Sequence, residues 1–401
     1  MTIEITPSQI KGEVTAPPSK SMAHRLLICA ALSEGKSVIS NIAYSEDILA
    51  TLDCIKAMGA EVEIKDNTVS ICGILPFSVG ESTYNCRESG STIRFFIPIS
   101  MLSEGISLFT VCGRLCERPM EVYEKIAAEK GIYYCTGEDG IFVGGSLSSG
   151  TYTVRGDISS QFISGLLFAL PLCDGDSVIN LEGKAESRSY IDMTLSAMSS
   201  FGVKAEWKSE GALYVKGGQK YKACNISVEG DYSNAAFLDA FNLVNGNVTV
   251  NGLFENSLQG DRVYKDYYSL LEKGAPVLDM GNCPDLAPVI MALACELNGA
   301  TLKGTKRLKL KESDRGAVMA QELSKLGAEI DLYEDEIIIH KSELKKPEAV
   351  LSGHNDHRVV MSLSVLMSKY GGVIESADAV KKSYPDFFSV IGSLGAEVTE
   401  I

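Results

Sequence analysis

A chain of 401 residues, 45% of them hydrophobic, exceeds what one core usually organises, so two domains are the starting expectation. Charged residues make up 22%, and no run approaches the roughly 18 consecutive apolar residues of a membrane span. A formal net charge of −15 opposes a nucleic-acid partner, whose phosphates require a basic surface, yet leaves room for a small anion held by locally gathered cations.

In chain order, MTIEITPSQIKGEV reads as a strand and carries neither a secretory signal nor an Arg-rich leader, so a cytoplasmic protein is expected. Pro17 and Pro18 then stop the chain, and PSKSMAHRLL opens a helix with Lys20 and Arg25 flanking its first turn. CRESGSTIRFF repeats this arrangement with Gly90, Ser91, Thr92 and Arg94, and CERPM follows with Arg118. GDISSQF supplies Ser159, Ser160 and Gln161 at a third such start, and ESRSY adds Ser187, Arg188 and Tyr190. In the second half GNCPDLAP carries Asp285, KLKESDR carries Lys311, Glu312 and Arg315, NDHRVV carries His357 and Arg358, and VKKSYPDF carries Lys381 and Lys382.

Two patterns interleave behind these starts. IKAMGAEVEI, IAAEKGIYY, MSSFGVKAEW, LLEKGAPVLD, LSKLGAEIDL and IGSLGAEVTE each end a helix-like stretch on glycine and run into an apolar alternation. Their glycines are Gly59, Gly131, Gly202, Gly274, Gly327 and Gly395, spaced by 72, 71, 72, 53 and 68 residues. The second pattern, as in LLICAALSEGKSVISN and GLLFALPLCDGDSVINL, also closes on glycine before a strand and is apolar nearly all round, so its helices belong inside a domain. The reading is an α/β (α+β) protein of six repeats, each with two helices and several short strands, three repeats to a domain. The boundary is expected near residues 228–231, and the N-terminal strand could pair with either half.

Cations at a helix N-terminus oppose the positive end of its dipole, at roughly 0.3–1 kcal/mol each. A bound anion removes the conflict. A solvated helix face would mix signs at three- and four-residue spacing, whereas these Lys and Arg residues sit at element edges beside Gly, Ser and Pro. Taken alone, Asp285 reads as an N-cap after proline and Glu312 as one half of an exposed ion pair. The eleven cysteines lack a paired spacing and suit reduced thiols; Cys112 and Cys116 are the only close pair, and with four histidines in the chain no metal site is expected.

PSKSMAHR, KESDR, NDHR and KSYPDFF, in this order along the whole chain, resemble the signatures of the enolpyruvyl transferase family. The resemblance implies a two-domain inside-out α/β barrel, with residues 19–229 forming one lobe of three repeats, residues 1–18 plus 230–401 the other, and the ligands in the cleft between them. It implies transfer of the enolpyruvyl group of phosphoenolpyruvate to the 5-hydroxyl of shikimate 3-phosphate, by a monomer needing no cofactor and no metal. Lys20, Ser21, Arg25, Ser159, Ser160, Gln161, Ser187, Tyr190, Asp285 and Lys311 would hold shikimate 3-phosphate. Lys20, Gly90, Arg94, Arg118, Gln161, Arg315, Arg358 and Lys382 would hold phosphoenolpyruvate. The addition needs one proton delivered to the methylene carbon and one taken from the hydroxyl; Asp285 is assigned as base, Glu312 as proton carrier and Lys20 as stabiliser of developing charge.

Two departures stand out. Glu88 to Phe95 read ESGSTIRF where many relatives have Asn-Ala-Gly-Thr-Ala followed by Met-Arg-Pro, and Arg307 stands where some place an asparagine. The sister activity toward UDP-N-acetylglucosamine is marked by a cysteine five residues before a loop Arg-Pro; here that position is Gly113. An RNA-end enzyme or nucleic-acid clamp on similar repeats is opposed by the net charge.

Overall fold

The computed structural model describes residues 1–74, 81–183 and 186–401. Among these the helices are α1 (Lys20–Ala31), α2 (Glu46–Ala57), α3 (Gly90–Ser100), α4 (Glu121–Lys130), α5 (Ser160–Ala169), α6 (Arg188–Ser200), α7 (Tyr232–Ala240), α8 (Tyr264–Lys273), α9 (Ala287–Glu296), α10 (Arg315–Ser324), α11 (His357–Tyr370) and α12 (Phe387–Ser393). The odd-numbered helices come from the apolar pattern. In α5 every residue but Gln161 is buried, and α9 is buried from Ala287 to Cys295, because a helix apolar on all sides has no face to give to water. The even-numbered helices are amphipathic. In α2, Ser45 accepts a bond from the Ile48 amide, Glu46 and Asp47 lie in the first turn and Lys56 in the last, so cap and charges agree with the dipole.

Five of the six repeat glycines take positive φ just beyond an even-numbered helix and turn the chain into a strand. Gly274 is the exception, at φ 166, which is extended backbone. The glycines of the apolar pattern are displaced from the caps the sequence suggests: α1, α3, α5, α7 and α9 are capped by Leu32, Met101, Leu170, Phe241 and Leu297. Extra turns intervene before the glycine, such as the 3-10 turns Leu170–Leu172 and Phe241–Leu243. Of the six helices of the apolar pattern only α11 ends directly on glycine, Gly371.

Among the described residues, five four-stranded sheets share one plan: a parallel pair, then two antiparallel strands. In the first, Asn225–Ser227 runs parallel to Lys36–Ser40, which pairs antiparallel with Thr68–Cys72, and that with Glu61–Lys65. In the last, the N-terminal strand Ile3–Thr6 fills the third place, between Gly372–Glu375 and Glu397–Glu400, with Ile3 opposite Glu400. The fourth repeat keeps only the parallel pair, Ile10–Thr15 with Gly246–Asn251. Its strand after Gly274, Val277–Asp279, pairs parallel with Ala300–Lys303 and so opens the next repeat's sheet instead of forming a hairpin. The missing hairpin explains the short spacing of 53 residues.

The chain divides into two compact units, Pro18–Glu229 and Met1–Pro17 with Gly230–Ile401. Each has its own core. One gathers residues from Ala23 to Val228, the other Ile3, Ile5, Ile10 and Ala16 with residues from Tyr232 to Leu394. In both, helices fill the centre and sheets cover them, each buried Leu, Ile or Phe contributing roughly 1.5–3 kcal/mol. Among the described residues no helix is long and apolar enough to cross a membrane.

Candidate active site

In the unit Pro18–Glu229, α1, α3 and α5 start on the serines Ser19, Ser89 and Ser159, whose hydroxyls accept from the amides of Met22, Thr92 and Gln161. All three caps are neutral, so the positive helix ends are not offset by a capping charge. A buried chain of hydrogen bonds ties the helices: His24 Nδ1 to Thr51, Thr51 to Thr92, and Thr92 to Ser89. Burial, reinforced by Lys20 and Arg25, holds the His24 pKa well below its ordinary value, so the imidazole is neutral.

Arg25 is 3% exposed and bonds only to neutral acceptors: Nε to Thr194 Oγ1 at 2.8 Å, one Nη to the Ser21 carbonyl and the other to the Tyr190 carbonyl. Its guanidinium lies 5.3 Å from the Phe95 ring centre and 5.9 Å from that of Tyr190. Among the described residues no carboxylate pairs with it, and burial pulls its pKa down to about 10. Lys20 by contrast pairs with Asp47 at 2.6 Å, a partner with no signature in the local sequence.

Arg94 donates to Gln161 Oε1 at 2.7 Å and to the Pro119 carbonyl, while Gln161 Nε2 donates to Ser91 Oγ. Gly165 permits this meeting of α3 and α5, because a Cβ there would collide with the Arg94 carbonyl and the Tyr123 hydroxyl. Arg118 lies over Gly90: a Cβ at Gly90 would stand 2.6 Å from Arg118 Nη1 and 3.0 Å from Arg94 Nη1. Arg118 Nε is buried and has no acceptor among the described residues. Glu88, one of the departures, receives the Arg114 amide at 3.3 Å and so fastens this loop to the 3-10 turn Gly113–Glu117 leading to Arg118. Ser160 and Ser187 are buried at the starts of α5 and α6, Ser187 in left-handed backbone at φ 55. Arg188 does not join this group; it is half exposed and stacks on Trp207 at 4.3 Å.

In the other unit, α7 and α11 start on Asp231 and Asp356. Asp285 sits in the 3-10 turn Pro284–Leu286 before α9, and the cap of α9 is Leu286, so Asp285 is not the N-cap its sequence suggests. Its carboxylate meets three cations: Lys311 at 3.2 Å, Arg315 at 2.6 Å and Arg358 at 3.4 Å. Burial alone would raise its pKa, but these charges outweigh burial and hold it well below the ordinary carboxylate range.

Arg315, 1% exposed, also reaches Glu312 at 2.7 Å and Asp356 at 2.9 Å, so Glu312 belongs to a partly buried network rather than an exposed pair. Asp356 further accepts from the Arg358 amide and Ser313. Lys382 donates to the Asn355 carbonyl at 2.8 Å, whereas Lys381 is exposed. Arg307 donates to the Gly281 carbonyl at 2.8 Å. Arg358 is 3% exposed; its Nε and Nη1 are buried without an acceptor among the described residues.

Lys20, Ser21, Arg25, Gly90, Arg94, Arg118, Ser159, Ser160, Gln161, Ser187 and Tyr190 thus belong to one unit, and Asp285, Lys311, Glu312, Arg315, Arg358 and Lys382 to the other. Asp47, Asp356 and Asp261, the last buried at 3% exposure in the 3-10 turn Gly260–Val263, are aspartates that sequence reasoning did not single out. Of these, only Asp356 carries a local signal, as an aspartate directly before an apolar helix.

Known proteins extend these observations. A profile of the family described as EPSP synthase (3-phosphoshikimate 1-carboxyvinyltransferase) matches residues 5–391. The 3-phosphoshikimate 1-carboxyvinyltransferases of Clostridium kluyveri and of Clostridium botulinum strain Eklund 17B are 42% and 40% identical to this chain, covering 99% and 100% of it and 98% of each relative. Two solved structures of EPSP synthase from Acinetobacter baumannii match all of both chains with TM-scores of 0.80 and 0.79 at 23% and 22% identity, which shows a shared fold. With the profile spanning nearly the whole chain and curated relatives at this identity, the chain belongs to the EPSP synthase family.

Proposed function

We propose that this chain transfers the enolpyruvyl group of phosphoenolpyruvate to the 5-hydroxyl of shikimate 3-phosphate and releases phosphate, a step of chorismate and aromatic amino acid biosynthesis. Family membership supports the reaction. The observation that carries it at the level of residues is a set of guanidinium groups with N–H capacity to spare among the described residues: buried Arg25 has no carboxylate partner, buried Arg358 keeps Nε and Nη1 without an acceptor beside its pairing with Asp285, and partly buried Arg118 keeps its Nε without one. Buried cations in that state suit ligands bearing several anionic groups.

Lys20, Ser21, Arg25, Ser159, Ser160, Gln161, Ser187 and Tyr190 take shikimate 3-phosphate, with Asp285 and Lys311 completing its contacts. Gly90, Arg94, Arg118, Arg315, Arg358 and Lys382 take phosphoenolpyruvate together with Lys20 and Gln161. The 5-hydroxyl oxygen bonds to C2 as the methylene carbon gains a proton from Glu312, giving a tetrahedral adduct. Loss of a proton from the new methyl group and departure of phosphate then restore the double bond. Asp285 accepts the hydroxyl proton. In the free protein three cations weaken it as a base; substrate anions neutralise Lys311, Arg315 and Arg358 and raise its basicity when it is needed.

We further place the protein in the cytoplasm as a monomer without a nucleic-acid partner. No disulfide joins the cysteines of the described residues, which suits a reducing compartment, and the net charge is −15. The test is phosphate release from phosphoenolpyruvate with shikimate 3-phosphate, set beside UDP-N-acetylglucosamine as acceptor. Release only with the first acceptor is expected; no turnover with it overturns the reading.

A further inference from the structure

The helix α10 and the segment leading into α11 are joined at a buried carboxylate that the reaction above does not use. Glu322 lies about two turns along α10 from Arg315 and is fully buried. Among the described residues three donors meet it: Lys325 Nζ at 2.7 Å and the Ser352 amide at 2.9 Å on one oxygen, and His354 Nε2 at 2.8 Å on the other. A carboxylate only accepts, so the His354 ring carries a hydrogen on Nε2. Lys325 also donates to the Val350 carbonyl, and the His354 amide donates to Ser352 Oγ at 3.3 Å.

These bonds hold a turn of uncommon backbone. His354 and Asn355 are consecutive non-glycine residues in the left-handed region, at φ 48 and φ 53, a conformation that persists only where the surroundings impose it. Gly353 is wedged before them: a Cβ there would stand 2.4 Å from Val360 Cγ2 and 2.9 Å from the Ser376 carbonyl. The Asp356 amide closes the turn on the Gly353 carbonyl at 2.8 Å. The residues that follow differ in how they are secured. The Asp356 carboxylate is fixed by Ser313, Arg315 and the Arg358 amide, none of which depends on His354. The Asn355 carbonyl takes its direction from the backbone angles of the left-handed pair, and this oxygen accepts from Lys382 Nζ at 2.8 Å.

We propose that His354 is a positioning residue: its bond to Glu322 locks the left-handed pair, aims the Asn355 carbonyl and so places the Lys382 ammonium for phosphoenolpyruvate. It acts through Asn355 and Lys382, not on substrate. The inference rests on Lys382 as a ligand of that substrate.

The experiment compares wild type with His354→Asn and His354→Gln, which separate the bond from the backbone. Both replacements are amides: asparagine tolerates left-handed backbone but falls short of Glu322, whereas glutamine can set its amide nitrogen where the imidazole Nε2 stood. Lys325 and the Ser352 amide still serve Glu322 in either variant, so both fold. With shikimate 3-phosphate saturating, His354→Asn raises the KM for phosphoenolpyruvate about fivefold while kcat changes by less than about twofold, the mark of binding lost equally from ground and transition states. In His354→Gln the KM returns to within about twofold of wild type. Acylation of lysines by acetic anhydride, read by mass spectrometry on substrate-free protein, checks the placement without turnover. Lys382 reacts about threefold faster in His354→Asn than in wild type or His354→Gln, while exposed Lys381 reacts alike in all three. An unchanged KM or an unchanged Lys382 reactivity in His354→Asn overturns the proposal, as does equal impairment of both variants. Absence of phosphate release in wild type would instead sink the proposed function, and Lys382 reactivity then decides alone whether His354 places that lysine.

Discussion

The hydrogen of Gly90 and the carboxyl of Glu312 carry the most direct tests. In Gly90→Ala the new methyl group must displace Arg118, 2.6 Å away, and crowd Arg94. The expected result is a KM for phosphoenolpyruvate raised about tenfold, equivalent to about 1.4 kcal/mol, with little change in melting temperature. Steady-state kinetics and a thermal melt check both. Glu312→Gln keeps size and hydrogen bonding but cannot carry the proton. Its kcat should fall by about 10²–10⁴-fold while KM changes little, and an unchanged kcat removes Glu312 from proton transfer. Asp261 and Asp285 make opposite contributions to stability with pH. The Asp261 pKa is raised, so its contribution is complete below the ordinary aspartate range and is lost as pH rises through about 7. The Asp285 pKa is lowered, so its contribution is present above that range and is lost as acid protonates it. Replacing Asp261 with asparagine should therefore flatten the fall in melting temperature between about pH 4 and pH 7, as scanning calorimetry in matched buffers would read.

Helices and strands differed in how plainly the sequence announced them. The buried helices α1, α3, α5, α9 and α11 were legible because uninterrupted apolar stretches follow a Ser or Asp start or a Pro-Asp turn, and the repeat glycines marked the ends of the even-numbered helices. The incomplete fourth repeat was less so. Its Gly274 looks like the other five, and only the shortened spacing to Gly327 hints that no hairpin follows. The motif cations were legible from their places at element edges, and the family resemblance sorted them between two ligands, but their partners were not legible. Arg315 meets Asp356 41 residues away and Lys20 meets Asp47 27 residues away, distances over which no local pattern operates. Asp261 was missed for the same reason, since its turn reads as an ordinary polar connection until the fold buries it. The α3–α5 crossing allows a prediction at this scale. Gly165→Ala pushes a methyl group against the Arg94 carbonyl and Tyr123, costing roughly 1–3 kcal/mol in denaturant unfolding monitored on this unit. It should also weaken the Arg94–Gln161 bond and raise the KM for phosphoenolpyruvate.

Across the whole molecule, the strand Ile3–Thr6 pairs with Gly372–Glu375 and Glu397–Glu400, so the first residues of the chain are fastened by the last. On the ribosome, all of Pro18–Glu229 has been made before Glu400 is added. At about 5–20 residues per second, roughly ten to thirty seconds separate those events. Through that interval Ile3 and Ile5, destined to be buried, have no sheet to join and are available to chaperones or to other nascent chains. Removing the last five residues should therefore lower soluble yield more than the loss of one short, largely exposed strand suggests, and co-expressed chaperone should recover part of it. The order in which the chain is read makes its beginning the last part to find its place.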